Sequence, residues 1–293
     1  LDSDSLRDIL GARKVSSVED IVKRIALLLA SIFLVAPAVL AQDWAQAKLE
    51  KSPRHHEWAT VKHGDRSVET YVAYPEAKDK RPVVVVIHEI FGLTDWAQNL
   101  ADEVAEAGYI AVAPDLLSGM GPNGGRTNSY TSQSDATAAV GKLDADQITA
   151  DLNAVADYGL KLPSSSGKLY VAGFCWGGGQ TFRFATNRMD LAGAFSFYGP
   201  PPPKDAMARI KAPVYGFYAG NDARIGAMIP DATAAMKELG KKYEPVTYDG
   251  AGHGFMRAGE APPPTDASQQ AAYDANVKAR NDAWARWKSL MSH

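Results

Sequence analysis

The chain is predicted to be an α/β protein, with a mostly parallel central sheet and helices on both faces. Three observations carry that expectation. Short strand-like runs alternate with helix-like stretches along most of the sequence, the pattern of strand-helix-strand units. One run, Pro82-Val-Val-Val-Val-Ile-His88, is apolar without alternation, as a strand covered on both faces must be. The chain has 293 residues, 46% hydrophobic and 22% charged, which suits one large domain with appendages and excludes a disordered chain, a collagen-like fibre and a disulfide scaffold.

The N-terminal stretch is set apart from the fold. Lys23 and Arg24 precede an uncharged run from Ile25 to Gln42, whose apolar core extends to about Val35 and ends in small residues around Val39 and Ala41. This is the plan of a secretory signal over residues 22–41, with cleavage after Ala41. A membrane anchor is the alternative, but Pro37 and the small residues after it suit a cleavage region better than the second half of a spanning helix. Residues 1–21 form a polar extension, which translation from Val22 would account for. Residues 42–293 are then expected to be a single exported domain, periplasmic or secreted, with no stable membrane partner after cleavage.

Within that domain the elements follow in order. Trp58 to Lys62 and Val68 to Tyr74 alternate around a Gly64-Asp65 turn and predict a hairpin at one end of the sheet. The buried strand Pro82 to His88 comes next, then a helix from Asp95 to Ala107 with Asp95 as its cap and Gly108 as its stop. Tyr109 to Ala113 predicts a strand. Ser118 to Gly141 is long and rich in Gly, Ser, Thr and Asn, and is expected to be a lid or binding loop. A helix over Asp144 to Leu162 follows, then strands at Lys168 to Gly173, Leu191 to Phe197, Pro213 to Tyr218 and Glu244 to Tyr248. Helices are predicted from about Cys175 to Asn187, over Asp231 to Lys242, and from about Ser268 to Ser292.

The chemistry concentrates at the ends of these strands. Gly173-Phe-Cys175-Trp-Gly177 sits where a buried strand runs into a helix, the sequence form of a nucleophile elbow, in which flanking glycines make room for a sharp turn. A helix N-terminus also favours the thiolate, the reactive form of cysteine. The competing reading is an inert buried thiol. Cys175 is the sole cysteine, so no intramolecular disulfide can form.

A nucleophile at an elbow needs an acid and a histidine, in that order along the chain. Asp222 follows the strand Pro213 to Tyr218, and His253 follows the strand Glu244 to Tyr248, so both fall on the same sheet edge as the elbow. Asp249 competes with Asp222 as the orienting acid, and His88 competes with His253 as the base. Asp115 also follows a strand, where it reads equally as a loop or capping aspartate.

Three further motifs lack their required context. His88-Glu89 has no second histidine for a zinc helix, Gly119 to Gly124 is broken by Pro122 as a dinucleotide loop, and the glycines at 177–179 lack the Lys-Ser/Thr of a phosphate loop. No metal or organic cofactor is expected. Lys plus Arg number 31 against 34 Asp plus Glu, a net charge of -3 that gives no reason to expect nucleic acid as a partner and favours a small molecule.

Taken together, Val86-Ile-His-Glu-Ile-Phe-Gly92, Ala113-Pro-Asp-Leu116, Gly173-Phe-Cys-Trp-Gly-Gly178, Gly220-Asn-Asp222 and Gly252-His-Gly-Phe255 resemble the dienelactone hydrolase (carboxymethylenebutenolidase) family of α/β-hydrolases. The resemblance implies an α/β-hydrolase fold from about Trp58 to His293. It implies Cys175 as nucleophile, His253 as general base and later acid, and Asp222 as the group orienting His253. Glu89 matches a glutamate that contacts the resting thiol and takes part in activating it; a carboxylate there raises the thiol pKa and protects it from oxidation. The backbone N–H groups of Ile90 and Trp176 match the oxyanion hole.

Arg257 matches one of two arginines that hold a substrate carboxylate, whereas the place of the other is taken by Leu117-Ser118-Gly119-Met120. The expected activity is therefore hydrolysis of a small-molecule ester or lactone through an acyl-thioester on Cys175. The alternative is a non-catalytic ligand-binding or redox-responsive protein on the same fold. A peptidase is a weaker third reading, because nothing marks an amine-binding pocket.

Overall fold

A computed structural model describes residues 37–258 and 263–292. The chain divides into two units, Leu1–Asp43 and Trp44–His293, and the second carries the site. Most of the leader expected over 22–41 lies outside the described residues. Its end, from Pro37, belongs to helix α1 (Pro37–Glu50), an element absent from the sequence-based expectation and running through the expected cleavage position. No helix among the described residues is long and apolar enough to cross a membrane.

The domain is built on one eight-stranded sheet: β1 (His56–His63), β2 (Arg66–Ala73), β3 (Arg81–Ile87), β4 (Ile110–Pro114), β5 (Ser165–Phe174), β6 (Leu191–Phe197), β7 (Val214–Ala219) and β8 (Tyr243–Tyr248). Its order is β1-β2-β4-β3-β5-β6-β7-β8. The β1–β2 hairpin and the β2–β4 pair are antiparallel, and every other pair is parallel. From β3 the chain steps outward to β4, then returns across β3 to lay β5 on its other side. Such a reversal opens a crevice at the carboxyl ends of the two strands, where ligands bind in open α/β sheets.

Helices fill both faces. They are α2 (Asp95–Glu106), α3 (Gln133–Val140), α4 (Ala145–Lys161), α5 (Trp176–Ala185), α6 (Lys204–Met207), α7 (Ala223–Gly226), α8 (Ile229–Glu238) and α9 (Ala267–Met291). In β3, Val84 and Val86 pack into one layer with Leu100 and Val104 of α2 and Trp287 of α9. Val83, Val85 and Ile87 point the other way, among Ile148, Leu152 and Val155 of α4 and Phe182 of α5. That two-sided burial is why β3 reads as an unbroken apolar run.

Two expectations need correction. The segment from Ser118 to Gly141 is not a plain loop: it holds two 3₁₀ turns, Pro122–Gly124 and Thr127–Ser129, and then α3. Ser132 starts that helix by accepting the Asp135 N–H at 3.1 Å, and Ala136 and Val140 pack against Leu117. At the start of α2 the cap is Thr94 rather than Asp95, which lies in the first turn, where a negative charge meets the positive helix end.

Candidate active site

The elbow at Cys175 is formed by close backbone packing. Cys175 has φ 56° and ψ -117°, a conformation an L-residue holds only when its surroundings compel it, at a cost of about 1–3 kcal/mol. A Cβ on Gly173 would lie 2.2 Å from the Gly177 carbonyl oxygen, and one on Gly177 would lie 2.3 Å from that of His88. These two glycines let α5 start directly against the end of β3, which turns the Cys175 side chain into the crevice.

His253 reaches that side chain from the loop after β8. Its Nε2 lies 3.0 Å from Cys175 Sγ, and its Nδ1 lies 2.5 Å from Asp222 Oδ2. A carboxylate only accepts, so Nδ1 carries the proton and Nε2 is left to accept from the thiol. Asp222 is held in turn at the N-cap of α7, where its Oδ1 accepts the Ile225 N–H at 3.2 Å.

The alternatives separate cleanly. The Nδ1 partner is Asp222, while Asp249 is exposed. His88 is fully buried and bonded to the Glu89 carbonyl, so it does not compete for the thiol. Asp115 fastens the segment after β4, taking the Leu117 N–H at 3.1 Å, the Thr127 N–H at 3.0 Å and the Thr127 hydroxyl at 2.7 Å.

Burial pushes the Cys175 thiol above its ordinary pKa. The backbone N–H groups of Trp176 and Ile90, both directed at the sulfur, and the charge of Arg224 pull the other way, while Asp222 adds to the rise. The stabilisation of thiolate expected from the helix N-terminus is thus present in the Trp176 amide but is outweighed by desolvation. Both amides lie beside Sγ, within reach of the carbonyl oxygen that would become an oxyanion on attack by that sulfur.

Glu89 is arranged differently from the expectation. It is buried, and among the described residues no hydrogen bond joins it to the thiol; its carboxylate pairs instead with Arg257. The physical reason is local: a carboxylate withdrawn from water requires a cation, and Arg257 lies beside it with its guanidinium 4.6 Å from the Phe91 ring centre and 5.2 Å from that of Trp96. Burial lowers the Arg257 pKa to about 10, so it stays charged at neutral pH. Its side chain remains 38% exposed, which leaves part of it open toward solvent.

Other residues at the site carried no motif in the sequence. Tyr198 is fully buried at φ 39°, with its ring centre 5.0 Å from that of His253, and desolvation and the nearby Cys175 raise its phenol well above the usual range. From α9, Asn276 Oδ1 accepts the Gly252 N–H at 2.7 Å, and Arg280 Nε donates to the Met256 carbonyl at 3.1 Å. The long last helix thereby pins the loop on both sides of His253. Among the described residues no group of three His, Cys, Asp or Glu side chains could hold a metal ion.

Comparison with known proteins agrees with this architecture. The model of the dienelactone hydrolase family matches residues 68–293. The "Putative carboxymethylenebutenolidase" of Saccharolobus solfataricus is 31% identical over 254 residues, covering 76% of this chain and 93% of that protein. A protein of the same name from Salmonella typhi is 32% identical over 197 residues, covering 63% of this chain and 72% of its own length. A crystal structure described as a "Putative Dienelactone Hydrolase" from Klebsiella pneumoniae superposes with a TM-score of 0.69 at 26% identity, over 82% of this chain and 99% of that one.

Proposed function

The chain belongs to the dienelactone hydrolase family and is a hydrolase of the carboxylic ester type, and on that premise we propose that it cleaves small esters or lactones with Cys175 as nucleophile. The observation that carries the reading is His253, which touches Cys175 Sγ through one ring nitrogen and Asp222 through the other. A binding module needs neither contact.

The reaction proceeds by acyl transfer. His253 Nε2 takes the thiol proton as Sγ adds to the substrate carbonyl, and the Ile90 and Trp176 amides receive the charge that forms on the carbonyl oxygen. The carbon–oxygen bond to the leaving group breaks, and the proton on His253 passes to the departing alkoxide. Water then adds to the thioester, giving a proton to His253; collapse releases the carboxylic acid and restores the thiol. Asp222 keeps His253 in the required tautomer and stabilises its protonated form.

A substrate bearing a carboxylate is favoured on the open side of Arg257, whose charge Glu89 only partly engages. The proposal also places the mature enzyme outside the cytoplasm, on the basic-apolar-small pattern of residues 22–41; N-terminal sequencing of the exported form should find Gln42. The activity is tested with p-nitrophenyl esters and a panel of lactones with and without a carboxylate. Cys175→Ala should remain folded and lose turnover, and retained hydrolysis in that variant would sink the assignment.

A further inference from the structure

We propose that His88 is a positioning residue that aims both amides of the oxyanion hole, an inference that rests on acyl transfer at Cys175. His88 ends β3, and its ring is fully buried between the backbone of one amide donor and the side chain of the other residue that supplies one. Nδ1 lies 2.7 Å from the Glu89 carbonyl oxygen. A carbonyl cannot donate, so Nδ1 bears the proton. The Glu89 C=O and the Ile90 N–H belong to one planar trans peptide and point in opposite directions. Fixing the carbonyl toward His88 therefore turns the Ile90 N–H the opposite way, toward Cys175, whose thiol pKa that amide lowers. The same carbonyl also closes the turn to Gly92, accepting its N–H at 3.2 Å, so the peptide plane is held from two sides.

The second amide is reached by stacking. The His88 and Trp176 rings lie 13° from parallel with their centres 5.5 Å apart, and Trp176 supplies the other N–H directed at the sulfur. One imidazole thus touches both halves of the hole, and among the described residues no hydrogen bond joins it to Cys175.

An independent observation shows that packing alone does not explain the residue. His88 Nε2 is buried without a hydrogen-bond partner among the described residues. An orphaned ring nitrogen is a cost that a Leu or Phe of similar size would avoid. The side that gives something back is Nδ1 and its bond to Glu89. Burial also keeps the ring neutral, lowering its pKa to about 4 against the opposing charge of Asp115, so it acts as a fixed donor and not as a proton carrier.

The test compares three variants on one neutral p-nitrophenyl ester. His88→Phe keeps an aromatic face for Trp176 and loses the donor; His88→Leu loses both, and serves if the larger ring does not fold. His88→Asn loses the stack but places an amide N–H near the position of Nδ1. The expected result is a fall in kcat of about 10- to 100-fold in the donor-free variants, with KM within about twofold of wild type, because misaimed oxyanion donors act only in the transition state. His88→Asn should recover part of the kcat lost in His88→Leu, because it restores the donor but not the stack. Unchanged kcat in a folded His88→Phe or His88→Leu, or His88→Asn as impaired as those two, would overturn the proposal alone. Wild-type enzyme that still turns over ester after complete alkylation of Cys175 would instead overturn the nucleophile reading, and this proposal with it.

Discussion

His253 Nε2 lies 3.0 Å from Cys175 Sγ although 78 positions separate the two residues in the chain. Each sits just beyond the carboxyl end of a strand, Cys175 after β5 and His253 after β8. The parallel sheet delivers both to one edge, and Asp222, after β7, joins them there. The first prediction follows from this contact. His253→Ala should lower kcat for a simple ester by about 10³-fold or more, and Asp222→Asn by about 10²- to 10⁴-fold, with the midpoint of thermal unfolding little changed. Steady-state kinetics with circular dichroism of the same samples check it.

The state of the resting thiol is a second consequence. Burial, opposed by the two amides, leaves the Cys175 pKa above that of an ordinary cysteine, so the proton stays on sulfur at neutral pH. The rate of alkylation by iodoacetamide should therefore rise with pH through a midpoint higher than the ~8.5 of a free thiol. A midpoint below about 7 would show instead a resting thiolate–imidazolium pair.

The Glu89–Arg257 pair gives a third. Glu89 is buried, and removing its partner strands a carboxylate away from water. Because Arg257 is partly open to solvent, Arg257→Met should cost about 1–3 kcal/mol, less than the full penalty of a deeply buried pair. Glu89→Gln should be milder, and the double variant should be more stable than Arg257→Met alone. Urea unfolding of all four proteins forms the cycle that measures this coupling.

Much of this was legible in the sequence, and the reasons differ by residue. β3 declared itself because burial on both faces requires every residue of Val83 to Ile87 to be apolar. The meeting of Cys175, Asp222 and His253 was legible because the strands they follow run parallel, which brings the residues just past them to one edge of the sheet. The partner of Glu89 was not, since nothing in the run after His253 says that the Arg257 guanidinium turns back across the crevice to a strand-end glutamate. Asn276 and Arg280 lie on a long helix among many polar residues, where those that grip the His253 loop look like those that meet solvent. α1 and α3 escaped because both are rich in alanine, with little contrast between their faces.

The buried ring of His88 supplies a fourth prediction, about stability. Its pKa is lowered from 6.5 to about 4 in the fold, so the unfolded chain takes up a proton that the folded chain refuses. The stability tied to this group is fully present above pH 6.5 and is lost as the pH falls from 6.5 toward 4, amounting to about 3 kcal/mol over that window. Urea titrations at pH 7.5 and 4.5 should show a loss in wild type that is smaller in His88→Asn, which has no ring to protonate. An equal loss in the two proteins would contradict the assignment.

Passage of the acyl group through Cys175 is tested by acid-quenching the enzyme during turnover of a p-nitrophenyl ester and mapping the peptides by mass spectrometry. The peptide containing Cys175 should carry the mass of the acyl group, labile to neutral hydroxylamine as a thioester is. Turnover with that peptide unmodified, or with the acyl group on another residue, would contradict it.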